Sequence, residues 1–217
     1  MKKVIITVVL FLFAINLIAQ NLEITPHYGY QFGTKLNYGP NYLKIDDSDQ
    51  YGITLGMEMA SGLTGEITYI HHSTELKIRD ILLGPVEERL ADLNADWVLL
   101  GANKYFKEGK VRPFAGGGLG LVFIAPKNEN LLVANRRFDN QTKFTFSFKT
   151  GANIMVSEVV GINLQFNMLF PIEWGGFYVG GGTGGFSSGV SVSSSTIIAG
   201  FSGGLVFRIS PKTNTTN

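Results

Sequence analysis

Apolar and polar residues alternate along eight stretches of this chain, and the links between them run long, short, long, short to the end. In residues 22–33, Ile24, Pro26, Tyr28, Tyr30 and Phe32 fall on one face, and Glu23, Thr25, His27, Gly29 and Gln31 on the other. The same period of two recurs in 51–60, 64–73, 92–106, 111–124, 143–156, 159–170 and 196–209. It is cleanest in the seventh stretch, where Ile162, Leu164, Phe166, Met168 and Phe170 alternate with Gly161, Asn163, Gln165 and Asn167. Strict period-two alternation predicts strands, and Pro26 is tolerated near a strand's start or at a bulge. In the fourth stretch Leu93, Ala95, Trp97 and Leu99 form the apolar set opposite Asp92, Asn94 and Asp96, with the pattern blurring at Val98 and Leu100.

The short links are 61–63, 107–110 and 157–158; the long ones are 34–50, 74–90, 126–142 and 171–195. Tight turns on one face and free loops on the other are the mark of an up-and-down barrel that crosses a membrane, each strand needing ~9–11 residues to span it. The predicted fold is therefore all-β, an eight-stranded antiparallel transmembrane barrel over residues 21–209, with short turns and both termini on one side. Residues 1–20 open with Lys2 and Lys3, run apolar through 4–14 and reach Ala19. That order reads as a secretory signal peptide, and its apolar run stops short of the ~20 residues of a spanning helix. Residues 210–217 form a polar tail. With no cysteine, neither a disulfide nor a lipid-bearing Cys is available.

A net charge of +1 argues against a nucleic-acid partner, which calls for a clustered basic excess. Mean hydropathy of +0.16 is too low for a helical membrane bundle but suits strands apolar at every second position. Alternation alone also fits a soluble lipid-binding barrel with its apolar face turned inward. Two features favour the inverted arrangement. The acids Glu23, Glu58 and Glu66 and the bases Lys104, Arg112 and Arg208 all fall at the short-turn end of their stretches, where a narrow polar lumen would pair them. Large aromatics of the apolar face cluster near stretch ends: Tyr28, Tyr30, Phe32, Tyr51, Tyr69, Phe123, Phe144 and Phe170 towards the loops, Tyr105 and Phe207 towards the turns. Such girdles match the two membrane–water interfaces.

Two segments carry a family resemblance: Lys110-Val-Arg-Pro-Phe-Ala-Gly-Gly-Gly-Leu-Gly120 after a short link, and Ala199-Gly-Phe-Ser-Gly-Gly-Leu-Val-Phe207 at the close. With them the chain resembles the outer-membrane β-barrel domain family of Gram-negative bacteria, the eight-stranded OmpA-type barrels broadly. The Ala19-Gln20 ending is similar to leaders common in the Bacteroidetes. The resemblance implies an outer-membrane location with periplasmic termini. The chain departs from the family pattern in its polar tail, which leaves Phe207 internal instead of terminal.

Few residues suggest chemistry. Gly116 to Gly120 lacks the Lys-Ser/Thr and the strand-to-helix context of a phosphate loop; lumen glycines instead make room for groups such as Phe114. His27 reads as hydrogen-bonded lumen filler. His71, Ser73 and Glu75 share one strand face, and a serine with a nearby base and an orienting acid is the minimal nucleophilic set. The His-x-Ser pair is similar to that of outer-membrane lipid A deacylases, which makes a lipid-modifying hydrolase the alternative to a non-enzymatic role. Residues 76–90 are expected to form a short helix or a strand extension, and the Gly/Ser-rich 175–195, with Trp174, Phe177 and Tyr178 nearby, a flexible loop tip. No metal or cofactor is expected. Because eight strands enclose a lumen filled by side chains, the chain is expected to form no open pore. Its expected role is structural, anchoring or loop-mediated: a monomeric barrel among outer-membrane lipids, presenting loops to an envelope or secretion-complex protein.

Overall fold

The computed structural model describes residues 21–38, 40–59, 62–79, 86–131, 138–182, 185–194 and 197–210, and for Tyr38 and 173–194 the backbone alone. The expected signal peptide and residues 211–217 of the tail lie outside the described residues. Among the described residues eleven strands follow in order: β1 (Leu22–Gln31), β2 (Thr34–Tyr38), β3 (Asn41–Ile45), β4 (Ser48–Glu58), β5 (Leu63–Arg79), β6 (Glu88–Tyr105), β7 (Val111–Lys127), β8 (Gln141–Met155), β9 (Val160–Gly182), β10 (Gly185–Ser194) and β11 (Ile198–Ile209). Eight of them close an all-β antiparallel barrel in the circular order β1-β4-β5-β6-β7-β8-β9-β11. The first and last strands seal it, Leu22 opposite Ile209 through to Gln31 opposite Gly200.

The short links are tight turns. Met59 N–H donates to Leu63 O across the first (2.6 Å), and Gly62 takes φ +71° there; Gly109 takes φ +115° in the second. Only a residue without Cβ enters these values freely. In the third, Ser157 Oγ accepts from the N–H groups of Val159 (3.3 Å) and Val160 (3.0 Å).

The long links differ from free loops. β2 and β3 pair antiparallel, Thr34 opposite Ile45 through to Tyr38 opposite Asn41, and β3 pairs with the outer end of β5, Tyr42 opposite Arg79. For 76–90 a short helix or a strand extension is expected; at its described ends the strands extend, β5 to Arg79 and β6 from Glu88, while 80–85 lie outside the described residues. The Gly/Ser-rich segment is a strand hairpin, β10 pairing with the far half of β9. The side chains of Trp174, Phe177 and Tyr178 lie outside the described residues.

Polarity is inverted relative to a water-soluble barrel. Thr25, Thr54, Thr68, Asn153, Asn163, Gln165, Asn167 and Ser202 are buried inside, while Ile53, Leu55, Ile67, Leu119, Leu121, Phe146, Phe148, Leu164 and Leu205 are exposed on the outer wall. A protein in water does not expose a continuous apolar belt of this kind, so the distribution argues against the soluble lipid-binding barrel. A second, apolar filling occupies the loop-side half of the lumen: Ile70, Ala95, Trp97, Leu99, Val122, Leu169 and Ile198. It corrects one expectation. On β6, Leu93, Ala95, Trp97 and Leu99 point inward, and Asp92, Asn94 and Asp96 outward. The same parity turns Tyr105 into the lumen and out of the turn-side girdle.

Candidate functional site

Lumen glycines set where bulky groups can lie. A Cβ on Gly151 would come within 2.8 Å of Phe114 Cζ, and one on Gly52 within 2.7 Å of His27 Cε1. His27 itself is buried and neither ring nitrogen meets a protein partner, so it is not the hydrogen-bonded filler expected from the sequence.

Of the six charges expected to converge at the turn side, the lumen holds five. Glu23 and Arg112 pair at 2.7 Å with only 5% of each side chain exposed. Glu23 also accepts from the Tyr105 hydroxyl (2.7 Å), and the Arg112 guanidinium lies 4.1 Å over the Tyr105 ring. Asn153 donates to Tyr105 Oη (2.8 Å), and Asn163 to Asn153 (2.6 Å). Arg208 binds Glu58 (2.5 Å) and reaches Glu23 (3.8 Å); Asn21 donates to Glu58 (2.6 Å). Glu66 accepts from Asn103 (2.6 Å) and pairs with Lys149.

Lys104 does not join this network. It follows the buried Asn103 on β6, so the pleat turns it outward, and it is exposed. Lys149 is the cation that meets Glu66 instead. In residues 143–156 Lys149 shares its parity with Thr145, Ser147 and Asn153 on the polar face, but it lies away from the strand end where the other charges cluster. The network closes the floor. Cavities of about 10 Å³ among Glu23, Tyr105 and Asn153, and about 30 Å³ among Glu66, Leu99 and Gln165, are each no larger than one or two waters. Above them a cavity of about 90 Å³ is lined by His72, Leu93, Trp97, Ile124, Pro171 and Ile198, with Trp97 Nε1–H donating to His72 Nδ1 (3.2 Å).

On the outer wall, the three residues proposed for nucleophilic chemistry stay on one face but do not form a triad. The Ser73 hydroxyl donates to Asn94 Oδ1 (2.8 Å), not to His71. His71 Nδ1 meets Asp96 Oδ1 at 2.7 Å, and the Tyr69 hydroxyl donates to the same oxygen (2.6 Å). Glu75 is directed elsewhere, to Lys77 (3.2 Å). Asp96 and Asn94 were missed as partners because they belong to β6, whose outward face was misassigned. Among the described residues no group of three or more His, Asp or Glu is placed to hold a metal ion.

Beyond the wall, the β2–β3 hairpin is clamped to β5. Thr74 Oγ1 donates to Asp46 O (2.6 Å), Asp46 N–H to Glu75 O (3.0 Å), and the Asp46 carboxylate pairs with Lys44 (2.7 Å) and Lys77. Burial works to raise the Asp46 pKa, but the two ammonium groups outweigh it and hold the carboxyl below its ordinary value.

No family model and no curated protein matches the chain. Solved structures do. OprG from Pseudomonas aeruginosa superposes with a TM-score of 0.67 at 13% identity, over 88% of this chain and 97% of that one. Neisserial surface protein A gives 0.58 at 12%, over 87% and 97%. The fold is that of an outer-membrane barrel. At these identities the likeness concerns architecture, and the side chains of the lumen and the outer wall must be read from this chain itself.

Proposed function

We propose that the protein is a monomeric anchor of the outer membrane, with no open pore, that presents a raised β-sheet to a protein of the cell envelope or of a secretion assembly. Strand length carries this reading. β5, β6 and β7 run 17, 18 and 17 residues and β9 runs 23, against the ~9–11 that a tilted strand needs to cross the hydrocarbon. The surplus stands above the wall as paired strand. Outside the membrane, ordered sheet with a free edge at β2 offers backbone groups and side chains to a partner. The closed floor and the tight turns support anchorage over conduction, and a periplasmic side for both termini goes with this reading.

The experiment is site-specific photo-crosslinking in intact cells. A crosslinker at Leu36 on β2, half exposed, is expected to capture one defined envelope protein, while one at Leu164 on the apolar belt captures none. Crosslinking from neither position, together with stepwise conductance in planar bilayers, would replace the anchor with a channel. Recovery of the protein in a detergent-free periplasmic extract would remove it from the membrane altogether.

A further inference from the structure

The outer wall changes character along one cross-strand row. Tyr51 pairs with His71, His71 with Asp96, and Asp96 with Phe123, so these four outward side chains lie side by side across β4, β5, β6 and β7. The row next to it on the turn side, Ile53, Tyr69, Val98 and Leu121, is apolar except for the tyrosine hydroxyl. On the loop side come Ser73, Asn94 and Ala125. The row therefore marks the height at which hydrocarbon gives way to headgroups, and here the wall is polar without being basic: His71 is the one ring that could carry positive charge in the three rows.

We propose that the face formed by Tyr51, Tyr69, His71, Ser73, Asn94 and Asp96 binds the saccharide headgroup of an outer-leaflet glycolipid. The inference rests on the membrane placement given above. Its chemistry is that of sugar recognition. Asp96 Oδ1 is occupied by the Tyr69 and His71 donors, which fixes the carboxylate and leaves Oδ2 for a sugar hydroxyl. Asn94 Oδ1 is held by Ser73, which leaves the Asn94 amide hydrogens as donors to a sugar oxygen. Tyr51, 54% exposed, packs its ring 5.0 Å from that of His71 and offers the flat apolar surface on which the C–H face of a pyranose stacks. A phosphate would find no lysine or arginine in these rows and would face the Asp96 carboxylate, so the sugar is the recognised group. The bonds at His71 and Ser73 also account for both side chains without hydrolysis: the serine proton is committed to Asn94.

The test is native mass spectrometry of the full chain released from micelles of a non-glycosidic detergent. The probes are lipid A, its dephosphorylated disaccharide form, and phosphatidylethanolamine. The protein is expected to retain the dephosphorylated glycolipid about tenfold better than phosphatidylethanolamine. The double variant D96A/N94A is expected to lose that preference while keeping heat-modifiable migration, and Y51L to weaken it several-fold. Equal retention of the two lipids by a folded, inserted barrel sinks the sugar site and leaves the anchor intact, whereas a chain that will not enter micelles as a barrel sinks both. Retention of lipid A only, and only with magnesium present, replaces the sugar with a cation-bridged phosphate. Loss of an acyl chain from the probe, abolished by S73A, replaces binding with hydrolysis.

Discussion

The two halves of the lumen are built from the same alternating strands and filled by opposite means. On the turn side, five charged groups of the predicted set and Lys149 are given one another, Tyr105, Asn21 and Asn103 as partners. On the loop side, Trp97 (1% exposed), Leu169, Val122 and their neighbours fill the tube as an ordinary apolar core does. A buried ion network is unforgiving of the loss of one partner, because the other charge is left stranded. An apolar filling loses only contacts and the cavity that opens. The contrast teaches that lumen polarity in this barrel depends on height, and that the two halves should fail differently.

The largest effect is expected at the floor. Arg112→Leu leaves buried Glu23 with only Arg208, at 3.8 Å, as a cation, and should cost about 3–5 kcal/mol, read as a lowered urea midpoint in detergent. Adding Glu23→Gln should recover a large part of that loss; a double variant no better than the single one would show that the pair does not couple. Next comes Leu169→Ala in the loop-side core, expected to cost about 2–4 kcal/mol. A cost under about 1 kcal/mol would mean that this half is wet and that the contrast is false. Third, Lys149→Met should destabilise by about 2 kcal/mol through the stranded Glu66, whereas Lys104→Met should stay within about 0.5 kcal/mol. Equal effects would restore Lys104 to the lumen.

The smallest effect lies outside both halves. Because the Asp46 carboxyl sits below its ordinary value of 3.8, its contribution to docking the β2–β3 hairpin is complete above that pH and drains away as the pH falls below it. Amide protection at β3, taken relative to the intrinsic exchange rate at each pH, should therefore fall on acidification while that of β1 does not. Asp46→Asn should produce the same local loosening at neutral pH, and unchanged exchange would show that backbone pairing alone holds the hairpin.

This height dependence also explains what could be read from the chain. Seven of the eight stretches display their lumen face correctly, since in β1, β4, β5, β7, β8, β9 and β11 the polar set of the alternation is the inward set. β6 misleads because it crosses the boundary at Trp97. Toward the turns, Asn103 and Tyr105 are inside and Val98 and Leu100 outside, as the membrane rule demands. Toward the loops the same parity puts Leu93, Ala95 and Trp97 inside and Asp92, Asn94 and Asp96 outside, so polarity changes sides along a strand whose pleat never slips. Lys104, Tyr105 and the acid partner of His71 were all misplaced by this single inversion. The ordered hairpins beyond the wall were less legible still, for β10 is rich in Gly and Ser and its pairing with β9 leaves no hydrophobic period in the sequence.

Glu23 stands near the start of the first strand, Arg112 in the middle of the chain and Arg208 on the last strand. Arg208 can reach Glu58 and Glu23 only when β11 docks against β1. Until then Glu58 lacks its arginine and two strand edges lie open, so every partly assembled form carries a stranded carboxylate together with an unpaired seam. Zipping the seam and neutralising Glu58 are thus one step of assembly. A chain truncated before β11 would have no means of completing either, and the quality-control proteases of its compartment would meet it as an open sheet.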